Sequence, residues 1–229
     1  MPTPVTAALI AVVPAVVVAA LTGRLLAWFP VPDEEPRADF VGLDSPRFRV
    51  GVGAVGFLVG WLMLASSAMT VWPILIPLAA LGALLGLIDA RTTYLPLRLH
   101  YLTFALTAVG VLGSAWWRAD PWSLAASVSI GLAATAVYAL IWRLSGGELG
   151  FGDVRLAGMI GAAMGAIAPS LAMWAFLLGS VVGAVWAIAL RLRGIKKFAY
   201  GPSMLLGVPL ALLVTQLLPT AVVVGQLPR

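Results

Sequence analysis

Long apolar stretches broken by short polar, Pro- or Gly-containing segments repeat along this chain of 229 residues. Runs close to the ~20 residues that an α-helix needs to cross a hydrocarbon core fall at about 5–21, 50–70, 74–88, 99–117, 123–142, 154–168, 171–190 and 203–224. The pattern predicts an all-α fold, a polytopic transmembrane helical bundle of about eight spans. The first run could pass for a secretory signal. No Lys or Arg precedes it, however, and Arg24 follows it, so it reads as an uncleaved span with its N-terminus outside. The expected organisation is a first transmembrane helix at 1–29, a short cytoplasmic loop at 30–49 and a transmembrane domain at 50–229.

Composition agrees, with 62% hydrophobic and 10% charged residues and a mean hydropathy of +1.04. A pI near 10.2 raises the idea of nucleic-acid binding, but the Lys and Arg are scattered among the loops rather than gathered on one face, so no nucleic-acid partner is expected. Segments 24–49, 91–98, 143–155 and 191–197 hold 12 of the 14 basic residues, which places those segments in the cytoplasm. The opposite turns carry almost no charge, and Trp72, Trp116, Trp117 and Trp122 are expected there as an interfacial belt. With no cysteine, disulfides and Cys-ligated zinc are excluded. The lone His100 reads as an interfacial residue, and neither a metal nor a cofactor is expected.

Against that background two acids stand out, Asp89 in Leu87-Ile88-Asp89-Ala90 and Asp153 in Gly150-Phe151-Gly152-Asp153. A carboxylate at the bilayer centre costs ~2.5–3.5 kcal/mol on insertion scales and less toward the edge, so each is a functional-site candidate. Two spans separate them, so the chain crosses and returns and both acids reach the cytoplasmic side. Gly82/Gly86 and Gly161/Gly165 give their helices small-xxx-small spacing that would allow direct packing, although Gly56/Gly60 repeats it elsewhere. Two facing carboxylates cannot both ionise easily, which leaves a general acid beside a general base. Around a water molecule, that pair can hydrolyse an amide. The glycines before Asp153 would let an extended substrate backbone approach.

Plainer readings stand beside this one. Asp153 could be the N-cap of the sixth helix, and Asp89 could pair with Arg91 or Arg98. Glu148 reads as a solvated loop acid. Arg155, Lys196 and Lys197 read as topological anchors, with phospholipid or substrate contact as the alternative.

The run Glu148-Leu149-Gly150-Phe151-Gly152-Asp153 resembles the Gly-x-Gly-Asp signature of the type IV prepilin peptidases, polytopic aspartic proteases that remove the leader of type IV pilins and pseudopilins. Asp89 followed seven positions later by Pro96 resembles their other motif, and Tyr200-Gly201-Pro202 is similar to the aromatic-Gly-Pro segment before their last helix. The resemblance spans roughly residues 50–224. It implies an aspartic endopeptidase with Asp89 and Asp153 as the catalytic dyad. Gly150, Gly152, Pro96, Gly201 and Pro202 would shape the site or contact substrate. It also implies a prepilin or pseudopilin partner, lipid surroundings, and a multi-pass place in the bacterial inner membrane with the site facing the cytoplasm.

The chain departs from the family in Leu97, where Asp or Asn is usual, and in Arg155, where Lys is usual. Many bacterial relatives carry a zinc-binding Cys-x-x-Cys domain after the first helix, associated with N-methylation of the product. The Pro- and acid-rich link here is about 20 residues, too short for such a domain. The resemblance therefore implies a peptidase-only form. A presenilin-like protease is a weaker fit, because Ile88 rather than Tyr precedes Asp89 and no Pro-Ala-Leu run follows. A small transporter using the two acids as ion ligands is the non-enzymatic alternative.

Overall fold

The computed structural model describes residues 3–30, 39–146, 149–195 and 198–217. Eight α-helices occupy them: α1 Pro4–Trp28, α2 Pro46–Ala65, α3 Trp72–Thr92, α4 Leu97–Arg118, α5 Trp122–Leu144, α6 Phe151–Ile167, α7 Pro169–Leu192 and α8 Gly201–Leu217. Six of these are long and apolar enough to cross a membrane, the exceptions being α6 and α8. With 17 residues, α6 is about 25 Å long, short of a ~30 Å hydrocarbon core.

Local chemistry sets the helix ends. Thr3 and Ser45 cap α1 and α2 by accepting from the amides of Thr6 and Phe48, each at 3.2 Å, with Pro at the first helical position in both cases. In the first turn of α2, Arg49 donates two bonds of 2.7 Å to Asp44 just ahead of the helix, and this tether holds the Asp44 carboxyl below the usual carboxylate range. α3 stops where Thr93 turns left-handed at φ 54° and its amide closes on the Asp89 carbonyl at 2.7 Å.

The interior is built around the acid-bearing helices. In α3, 14 of 21 residues are buried, and in α6, 11 of 17, whereas α1, α5 and α7 bury a single stripe each. A helix apolar on all sides belongs in the interior. α3 packs on α2, α4 and α8, and α6 packs on α5, α4, α7 and α8.

The glycine pairs act differently from the expectation. Gly82 and Gly86 receive Leu205 of α8, and Gly161 and Gly165 seat against Ala134 and Ile130 of α5. α3 and α6 thus meet through α8 and α4 rather than along a seam of their own. A second correction concerns Trp72, which is buried and donates from Nε1 to the Leu64 carbonyl at 3.2 Å. Trp116, Trp117 and Trp122 are exposed, as a belt requires.

Candidate active site

Asp89 lies in the last turn of α3 and is 4% exposed. Its Oδ2 accepts the amide N–H of Gly201 at 3.0 Å. Gly201 is the first residue of α8, so the bond uses one of the free donors at a helix N-terminus, where an anion is favoured. The site tolerates no side chain there, since a Cβ on Gly201 would stand 2.7 Å from that same oxygen and 3.5 Å from Leu156 of α6.

Asp153 is the third residue of α6 and is 7% exposed. Gly150, not Asp153, holds the N-cap position, so the plain capping assignment fails. The Asp153 carboxylate instead turns back to the backbone of Gly150, as the third helical residue does in a capping box. It lies within Coulombic range of Asp89.

The pairing of Asp89 with Arg91 or Arg98 fails as well. Arg91 is exposed, and Arg98 donates to the Trp28 carbonyl at 2.8 Å and covers the Trp28 ring. Among the described residues the ion pair that forms is Arg49 with Asp44. Two buried carboxylates thus lie within Coulombic range of each other, and among the described residues neither forms an ion pair.

The three sequence motifs join at this point. Leu95 packs on the α-carbon of Gly152, where a Cβ would sit 3.0 Å from the leucine side chain. Pro96, buried, turns the chain from that contact into α4. Pro202 rests by Gly86 of α3, which seats the start of α8 against the helix that carries Asp89. Glu148, Lys196 and Lys197 lie outside the described residues.

Sequence reasoning missed a hydroxyl cluster. Tyr138 of α5, buried to 8% exposure, lies within Coulombic range of Asp153 and faces the Tyr200 hydroxyl at 3.3 Å. Tyr200 in turn bonds Ser180 at 3.0 Å. Tyr138 sits in an apolar run with no polar neighbour in sequence, so its place could not be read from spacing. His100, expected at the interface, lies in the first turn of α4 and is buried at 4% exposure, with Nδ1 unpartnered among the described residues.

Chemically, two buried acids in one field can share a proton, leaving one to accept and one to donate. Among the described residues no cluster of three metal-ligating side chains forms.

No curated protein and no solved structure matches the chain. A family model does match, that of the type IV leader peptidase family, over residues 76–188. That interval contains both acids, Pro96 and the two glycines before Asp153, while Gly201-Pro202 falls beyond it. Over that segment, just under half of its length, the chain is similar to the type IV leader peptidase family, whose members are aspartic peptidases.

Proposed function

We propose that this membrane protease removes the leader peptide of type IV prepilins or pseudopilins at the cytoplasmic face of the inner membrane, with Asp89 and Asp153 as its catalytic dyad. The observation that carries the reading is the convergence of the motifs: Gly201 on Asp89, Leu95 on Gly152, and two cation-free buried acids in one field.

In the reaction, the anionic acid takes a proton from a water lying between the pair as the water oxygen attacks the scissile carbonyl carbon. The protonated acid gives its proton to the carbonyl oxygen. Collapse of the tetrahedral diol breaks the C–N bond: the protonated acid gives its proton to the departing nitrogen, a diol hydroxyl returns its proton to the anionic acid as the carbonyl re-forms, and the dyad ends with one proton as it began. Gly152 lets Leu95 close on the turn that carries Asp153, Gly150 gives its backbone to the Asp153 carboxylate, and Pro96 and Pro202 fix the loops that flank the pair.

The cytoplasmic assignment rests on charge. Arg24, Arg91, Arg98, Arg143, Arg155, Arg191 and Arg193 lie at the same helix ends as the acids, whereas Arg118 lies at the far end and bonds the Ala166 carbonyl at 2.7 Å.

The decisive experiment is cleavage of a purified prepilin by the protein in liposomes. Asp89→Asn and Asp153→Asn should each abolish cleavage while membrane insertion stays normal. Either variant trimming the leader at near the parent rate would remove the dyad assignment. A parent that is inactive on prepilins yet moves protons or cations across the liposome would favour the transporter reading.

A further inference from the structure

α4 and α5 lean apart over α6 and leave an open groove of about 570 Å³. Its walls are apolar, with Phe104 and Val111 on α4 and Val128 and Leu132 on α5, and its floor is Gly158 and Ala162 of α6. One end is polar. His100 and Arg155 line it there, at the helix ends assigned to the cytoplasm.

Two features call for an occupant that carries polar atoms. His100 and Thr107 are among the residues that line the groove and are 4% and 3% exposed; His100 Nδ1 and Thr107 Oγ1, buried beneath its wall, have no partner among the described residues. A buried polar group left unpaired costs free energy that a ligand can recover. Arg155 covers the ring of Phe151 at 4.8 Å, and among the described residues no acid pairs with it. An uncommitted guanidinium above an apolar channel complements a phosphate above a hydrocarbon chain.

We propose that this groove binds one anionic phospholipid, with its phosphate on Arg155 and His100 and an acyl chain lying along α6 toward the far side of the membrane. The site stands apart from the dyad. At 100° per residue, Arg155, Gly158 and Ala162 lie on the face of α6 opposite Asp153, Leu156 and Ile160. A substrate held in the groove would therefore have α6 between its backbone and the acids.

The test uses the whole protein, purified in detergent and stripped of lipid. Native mass spectrometry then follows retention of phosphatidylglycerol against phosphatidylcholine of the same chain length. The parent should keep one phosphatidylglycerol about fivefold more tightly, the scale of one cation near a membrane surface. Arg155→Gln should erase that preference, Arg155→Lys should keep most of it, and Arg143→Gln should leave it unchanged. Inorganic phosphate should not displace the lipid.

A phosphatidylglycerol with a photoreactive acyl chain, bound to the unaltered protein, should crosslink to α4 and α5. No preference in the parent overturns the proposal, as does an equal loss in the Arg143 variant, crosslinks concentrated on α1 or α7, or a dimer whose contact excludes lipid from the groove. Because retention is read without catalysis, these outcomes are independent of the peptidase assignment.

Discussion

At the scale of single residues, the fit around Asp89 gives the sharpest expectation. Gly201 supplies an amide to Oδ2 at 3.0 Å, and a methyl group in its place would press on the same atom. Overpacking of this kind costs ~1–3 kcal/mol. If it falls on the transition state, Gly201→Ala lowers kcat about 5- to 150-fold, and a cleavage assay at matched protein level measures it. An unchanged rate would mean that the Gly201 contact has no part in the reaction. Tyr138 offers a milder case. Losing one hydrogen bond costs ~0.5–1.5 kcal/mol, so Tyr138→Phe should slow cleavage about two- to tenfold and spare KM, provided its hydroxyl helps set the field around Asp153. The two acids were legible in the sequence because a carboxylate in an apolar run has few innocent explanations. The amide on Asp89 was not, since a backbone donor leaves no residue type to read.

At the scale of elements, the number and order of the helices could be read from the apolar runs, but not all of their ends: α1 continues to Trp28 where its run stops near 21, and α2 spans Pro46–Ala65 where its run covers 50–70. The partners of the helices could not be read. Small-xxx-small spacing says that a helix permits close approach but not which neighbour arrives, and so Gly161 and Gly165 meet α5 while Gly82 and Gly86 meet α8. The same seams give a stability test. A Cβ on Gly207 of α8 would collide with the Ala175 carbonyl of α7, whereas one on Gly113 of α4 meets nothing within 4 Å. Gly207→Ala should therefore lose at least ~1–3 kcal/mol and lower the thermal unfolding midpoint in detergent. Gly113→Ala should be neutral or gain ~0.5–1 kcal/mol from the stiffer backbone. Equal midpoints for the two variants would show that the α7–α8 seam is looser than its backbone spacing indicates.

At the scale of the whole molecule, the short link between α1 and α2 and the absence of cysteine lead to an expectation of leader removal without methylation or zinc. Product pilin made with this enzyme and S-adenosylmethionine should keep an unmodified N-terminus by mass, and a gain of one methyl would refute it. Orientation in the membrane binds the other proposals together. Antiparallel succession from α3 to α6 brings the end of α3 and the start of α6 to one side and puts the α4–α5 turn on the other. Twelve of the 14 basic residues fall in segments on the acids' side, the distribution that keeps loops in the cytoplasm. Ala90 and Ala119 are both exposed, one beside Asp89 and one at the far turn, so cysteines introduced there report the two faces directly. In intact cells, a membrane-impermeant thiol reagent should label Ala119→Cys and reach Ala90→Cys only after the membrane is opened. Glu148→Cys, beyond the described residues, should behave as Ala90→Cys does. Labelling of Ala90→Cys from outside would turn the acids away from the cytoplasm and remove the proposed access of a leader peptide held there, while opposite behaviour of Ala90→Cys and Glu148→Cys would separate the two acids across the membrane and dissolve the dyad itself.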